Sequence, residues 1–134
     1  MIVDRDALIQ AAREAAKRAY VPYSQFPVGA ALLTERGEII LGCNVENASY
    51  PLGMCAERTA VGTAVAQGAG KIVAVAVSAP KAKPCSPCGG CRQVLYEFNP
   101  QMEVILDAGD QPPMVRPLAE FLPHGFDSLA LEQA

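Results

Sequence analysis

The run Ile72-Val73-Ala74-Val75-Ala76-Val77 contains no polar residue. A membrane-spanning helix needs about 20 apolar residues in a row, so this run has the length of a strand. A strand without polar alternation must be covered on both faces, which calls for a sheet with helices above and below it. The chain has 134 residues, enough for a single domain, residues 1–134, with a buried core.

The sequence around that strand supplies the covering layers. Asp4 or Asp6 can cap a first helix reaching about residue 20, with Leu8, Ala11, Ala12, Ala15 and Ala19 on one face. Pro22 stops it, and residues 21–27 read as a loop. Residues 28–34 and 39–45 form a hairpin around Gly37, and residues 46–54 form a loop. A second helix spans residues 55–67 and is closed by Gly68 and Gly70. The buried strand covers residues 71–79, a Pro-bearing loop 81–87, a third helix 88–98 and a fourth strand 102–107. Residues 114–116 read as a short edge strand. Residues 117–122 read as a short helix with Pro117 at its first position, and the tail beyond Pro123 is weakly patterned. This order predicts a three-layer α/β/α sandwich around a mixed five-stranded sheet.

Five cysteines make an odd count, which a closed disulfide framework would not use up. The N-terminus, MIVDRDALIQ, carries charges where a secretory leader needs an apolar run. The expected location is therefore the cytoplasm, where thiols stay reduced and serve as ligands, nucleophiles or small core residues.

Three of the five fall at helix starts. Cys55 opens the second helix, and Cys88 and Cys91 open the third, three residues apart on one face. Helix N-termini favour thiolate over thiol, so the three sulfurs suit a Zn²⁺ ion with its fourth position open. Glu57 follows Cys55 by two residues, placed to move protons beside such a metal. C-A-E with P-C-x-x-C downstream resembles the zinc deaminase signature in its three-cysteine form. Three thiolates leave the metal with net negative charge and weaken it as an acidifier of water, so compensating donors are expected. Arg58, Arg92 and Gln93 are the candidates.

Cys85 extends the spacing to C-x-x-C-x-x-C and permits a rival reading, a four-cysteine zinc or iron–sulfur site. A fourth thiolate would leave Glu57 without a water to act on, and Cys85 lies outside the helical turn of Cys88 and Cys91. Cys43 reads as a small core residue. His124, beside Pro123 and Gly125, reads as a surface or interface residue.

The blocks FPVGAALLT, GCNVENASY, CAERTA and SPCGGCRQV together resemble the small homotetrameric cytidine deaminases, in that family's order and over about residues 20–126. The resemblance implies a cytidine deaminase-like fold, one zinc per subunit held by Cys55, Cys88 and Cys91, and Glu57 as proton shuttle. It implies Asn44 and Glu46 as partners of the ribose hydroxyls, Phe26 packed on the pyrimidine, and the backbone near Ala56 and Ser86 reading the base edge. Arg58 and Gln93 match positions that temper the thiolates, and Phe126 matches an aromatic lent to a neighbouring subunit. The residues add that Asn44 and Glu46 alternate at a strand end and so point one way.

The implied activity is hydrolysis of free cytidine and 2′-deoxycytidine to uridine and 2′-deoxyuridine with release of ammonia, a pyrimidine salvage reaction. The alternatives are deamination of a nucleoside-like antibiotic, as in the blasticidin-type relatives, and a non-catalytic structural zinc module. A net charge of −3 argues against nucleic acid or an anionic membrane as partner and favours an uncharged nucleoside.

Overall fold

A computed structural model describes residues 2–132. Helix α1 (Arg5–Ala16) is capped by Asp4, whose carboxylate accepts from the Ala7 N–H at 3.0 Å. The helix ends a turn before the periodicity predicts. Arg18 and Ala19 continue only as tight turns to the carbonyls of Ala15 and Ala16, and the Tyr20 N–H goes to the Asn44 carbonyl at 3.0 Å. A bridge between Tyr20 and Val45 has taken the backbone that a longer helix would need.

The other elements are strands β1 (Gly29–Thr34), β2 (Ile39–Cys43), β3 (Ile72–Ser78), β4 (Glu103–Leu106) and β5 (Met114–Pro117), with helices α2 (Ala56–Ala66), α3 (Gly89–Phe98) and α4 (Ser128–Glu132). The strand order is β2-β1-β3-β4-β5. Only the β3–β4 pair is parallel, and α3 supplies its crossover. The sheet is therefore mixed and five-stranded, with an α/β sandwich built on it, as expected. At the C-terminal end, Pro117 precedes a single 3₁₀ turn, Leu118–Glu120, where a short helix was expected. The tail, expected to be weakly patterned, forms α4.

Strand alternation divides the core. Ala31 of β1, Ala74 and Ala76 of β3 and Ile105 of β4 face α1, together with Leu8, Ile9 and Ala12. Ala30, Leu32, Val75, Val77, Val104 and Leu106 face α2 and α3. The α1 face is built from alanines, so that helix lies close against the sheet. A Cβ on Gly29 would come within 2.0 Å of the Ala12 carbonyl oxygen. On the other face, a Cβ on Gly42 would come within 2.4 Å of the Ala56 carbonyl oxygen, so α2 is in backbone contact with β2. The Thr59 hydroxyl reinforces that contact by donating to the Cys43 carbonyl at 2.8 Å.

One buried carboxylate ties the layers together. Asp107, 1% exposed, follows β4. Arg13 of α1 donates to both of its oxygens at 2.8 Å. The Ser78 hydroxyl at the end of β3 and the Gly109 N–H also donate to it, at 2.8 and 2.9 Å. Arg13 foremost holds the Asp107 carboxyl well below the usual carboxylate range, with Gly109 and Ser78 adding to its effect. A depressed carboxyl stabilises the fold above its unfolded pKa and loses that contribution as pH falls through the folded value. Asp107→Asn should cost about 2–4 kcal/mol in urea unfolding at pH 7. The gap between variant and parent should narrow below about pH 4.

Candidate metal centre and substrate cleft

Cys55 and Cys88 occupy the N-cap positions of α2 and α3, and Cys91 lies in the first turn of α3. Because α2 is pressed onto β2 and α3 packs beside it, the two helix starts meet at one end of the sheet. The sulfurs of Cys55, Cys88 and Cys91 lie within 4.8 Å of one another, and those of Cys88 and Cys91 are 3.5 Å apart. A tetrahedral zinc with Zn–S bonds of about 2.3 Å needs sulfurs about 3.8 Å apart, so the three thiols fit the ion. Cys85 is not part of this group among the described residues.

The environment of the sulfurs is uneven. Backbone N–H groups at the start of α3, that of Cys91 foremost, hold the Cys88 thiol below its ordinary pKa. Burial pushes the Cys91 thiol well above it, and the Glu57 carboxylate adds to the rise. Arg58 donates from Nη2 to the Cys55 sulfur at 3.4 Å, and that bond raises its own pKa. Its Nε is buried and has no hydrogen-bond partner among the described residues.

Arg92 and Gln93 are directed elsewhere. Arg92 donates to the carbonyls of Pro87 and Phe121 at 2.8 and 2.9 Å and lies over the Phe121 ring. It thereby fixes the backbone that leads into Cys88. Gln93 donates to the Phe126 carbonyl at 2.8 Å. Of the three candidate donors, the structure brings Arg58 alone to the sulfurs.

Two adjoining cavities open beside the cluster. The inner one, about 170 Å³, is lined by Cys55, Cys88 and Cys91 with Ala56, Glu57 and Ser86, and its walls are Val28, Val77 and Cys85. Glu57 is 4% exposed, and burial raises its carboxyl above the usual range. A carboxyl shifted in that direction is suited to taking up a proton and giving it back. Glu57 also raises the Cys85 thiol, although burial is the larger cause. The outer cavity, about 420 Å³, includes Tyr23, Ser24, Glu46, Tyr50 and Met54, and shares Asn44 and Cys55 with the inner one.

Asn44 and Glu46 lie past the end of β2, flanking Val45, which is bridged to Tyr20 and Met54. Both side chains turn towards the preceding loop. Asn44 accepts from the Val28 N–H and donates to the Phe26 carbonyl, each at 2.9 Å. Glu46 accepts from the backbone N–H groups of Tyr23 and Ser24 and from the Ser24 hydroxyl. These bonds, the Ser24 hydroxyl foremost, hold the Glu46 carboxyl below the usual range. Phe26 is half-buried beside Asn44, and Phe126 is exposed.

Residues 3–107 match the family model described as the cytidine and deoxycytidylate deaminase zinc-binding region. The chain belongs to this family. Among its relatives is a cytidine deaminase of Sporosarcina psychrophila, 52% identical over 105 residues, which are 78% of this chain and 77% of that one. A cytidine deaminase of Mycobacterium tuberculosis H37Rv is 43% identical over 92% of this chain and 90% of its own. The crystal structure of a Burkholderia pseudomallei cytidine deaminase superposes with a TM-score of 0.87 at 46% identity, covering 93% of this chain and all of the other. The zinc-binding region and the three-thiol cluster together give the deaminase one Zn²⁺ site. No helix of the described residues is long and apolar enough to cross a membrane.

The sequence reading missed Val28 and Val77 as cavity walls, and Tyr23 and Ser24 as partners of Glu46. Val77 is one valine of an unbroken apolar run, and nothing in that run marks which residue ends at a cavity. Substitution of Cys55, Cys88 or Cys91 by Ser should each lower bound zinc well below one ion per chain, measured by elemental analysis. Cys85→Ser should keep the full complement.

Proposed function

We propose that this chain hydrolyses free cytidine and 2′-deoxycytidine to the corresponding uridines with release of ammonia, in pyrimidine salvage. The observation that carries the reading is Glu57, a buried carboxyl lining the same small cavity as the three sulfurs. Cys55, Cys88 and Cys91 would hold the zinc, which when bound supplies Lewis acidity that makes water a nucleophile at neutral pH. Glu57 takes the proton of the attacking water and delivers it to N3 of the ring, which makes C4 electrophilic. It then carries a proton to the leaving amine. Arg58 offsets thiolate charge through its bond to Cys55.

The inner cavity suits the base, with Ala56 and Ser86 on its lining and valine walls against the ring. Phe26 would pack on the pyrimidine from the loop that Asn44 holds. The sugar would extend towards Asn44 and Glu46 in the outer cavity. Neither cavity is lined by Lys or Arg among the described residues, and each contains a carboxylate, Glu46 or Glu57. That charge favours a free nucleoside over a nucleotide or a polymer.

The outer cavity is wide, and exposed Leu41, Tyr50, Leu52 and Phe126 lie on the surface of the single chain. A homotetramer in which Phe126 completes a neighbour's site accounts for that exposure. Three thiols kept reduced for a metal suit the cytoplasm.

Glu57→Gln should lower turnover by about 10²-fold or more while zinc stays bound. Retained activity would overturn the mechanism. Ultraviolet absorbance should fall when the protein is mixed with cytidine, and should change little with dCMP or single-stranded DNA. Preference for either of those would refute the nucleoside assignment. Size-exclusion chromatography should give an active species near four chains in mass, and an active monomer would refute the tetramer.

A further inference from the structure

The Ser24 hydroxyl bonds to the side chain of Glu46 and to the backbone of Phe26, the two residues assigned above to opposite parts of the substrate. It donates to Oε2 of Glu46, and it accepts from the Phe26 N–H at 3.0 Å. Gln25, between them, has a φ of 56°, so the chain doubles back sharply enough for one oxygen to reach both. A hydroxyl has one hydrogen to donate and two lone pairs to accept with, and Ser24 uses the hydrogen and one lone pair here.

The arrangement leaves Glu46 with little freedom. An ionised carboxylate offers about four lone-pair sites. The N–H groups of Tyr23 and Ser24 both go to Oε1, at 3.0 and 3.1 Å, and the Ser24 hydroxyl takes one site on Oε2. The remaining site is on Oε2, and its direction is set by where Ser24 sits. Ser24 and Glu46 both line the outer cavity.

We propose that Ser24 is a positioning residue that aims the last free lone pair of Glu46 at the sugar and ties it to the placement of Phe26. This rests on the reading of Glu46 as a sugar contact given above. Ser24 itself need not touch the nucleoside. Losing its hydroxyl lets the Glu46 carboxylate rotate and frees the Phe26 N–H, so substrate is held less well in ground state and transition state alike. Uniform loss of binding raises KM and leaves kcat nearly unchanged.

The test uses the zinc-loaded enzyme and cytidine. Ser24→Ala and Ser24→Gly, two hydroxyl-free variants, should each raise KM by about 5–20-fold, with kcat within about twofold of the parent. Ser24→Thr, which keeps the hydroxyl, should restore KM to within about threefold. In a Glu46→Gln background the Ser24→Ala change should raise KM by a smaller factor than in the parent, since coupled groups are non-additive and only the tie to Phe26 is left to lose.

Unchanged KM in both hydroxyl-free variants, failure of Ser24→Thr to rescue, or effects that multiply in the double variant would each overturn the positioning role. If Glu46→Gln alone leaves KM unchanged, the sugar-contact reading fails and the proposal fails with it. If Glu46→Gln raises KM and Ser24→Ala does not, the proposal alone is overturned.

Discussion

The backbone contact between α2 and β2 at Gly42 governs where the metal centre lies. With no side chain at Gly42, the first turn of α2 rests directly on the strand. Thr59 then fastens the helix to the Cys43 carbonyl and also bonds back to Ala56. The start of α2 is set by that contact, and Cys55 is its N-cap. Any side chain at residue 42 would lift the helix, and Cys55 with it, away from the sulfurs of α3. A helix start is also where backbone N–H groups lack partners, and at α3 those groups steady the Cys88 sulfur.

The other half of the centre depends on a different set of bonds. Cys88 follows a loop with little regular structure, and Arg92 holds that loop by its hydrogen bond to Pro87. A residue of α3 therefore fixes the loop that delivers the helix's own N-cap cysteine. The C-terminal segment joins in, because Arg92 and Gln93 bond to the Phe121 and Phe126 carbonyls. Gly125 lies against Tyr96 so closely that a Cβ would come within 2.6 Å of the ring. The segment after β5 is thus bound to α3, and Phe126 is exposed from a braced backbone.

Charge is handled by separation. Asp107 is enclosed with Arg13 on the α1 side of the sheet, where it serves the fold. Glu57 is enclosed in the cavity that holds the sulfurs, without a bonded cation among the described residues. Glu46, at the mouth, is held by three donors from the loop before β1, with one Oε2 site left free. These carboxylates share a chemistry and differ in what surrounds them, which accounts for a depressed carboxyl at Asp107 and a raised one at Glu57.

Much of this was legible in the residues. The unbroken run in β3 required two covering layers, because apolar side chains on both faces of a strand must leave water. The spacing of Cys88 and Cys91, and Glu57 two residues after Cys55, marked a metal-centred chemistry, because a helix start fixes such neighbours locally. What the sequence could not carry were contacts between segments far apart in it. Gln93 lies two residues after Cys91 in the sequence, yet its amide goes to Phe126, 33 residues on. The first helix stops early because Tyr20 is claimed by Asn44, a partner no local pattern names. Ser24 became visible only when the loop folded its hydroxyl onto Glu46, 22 residues away. Local spacing decided which chemistry this chain carries, and the pairing of distant backbone and side-chain groups decided which residues hold that chemistry in place.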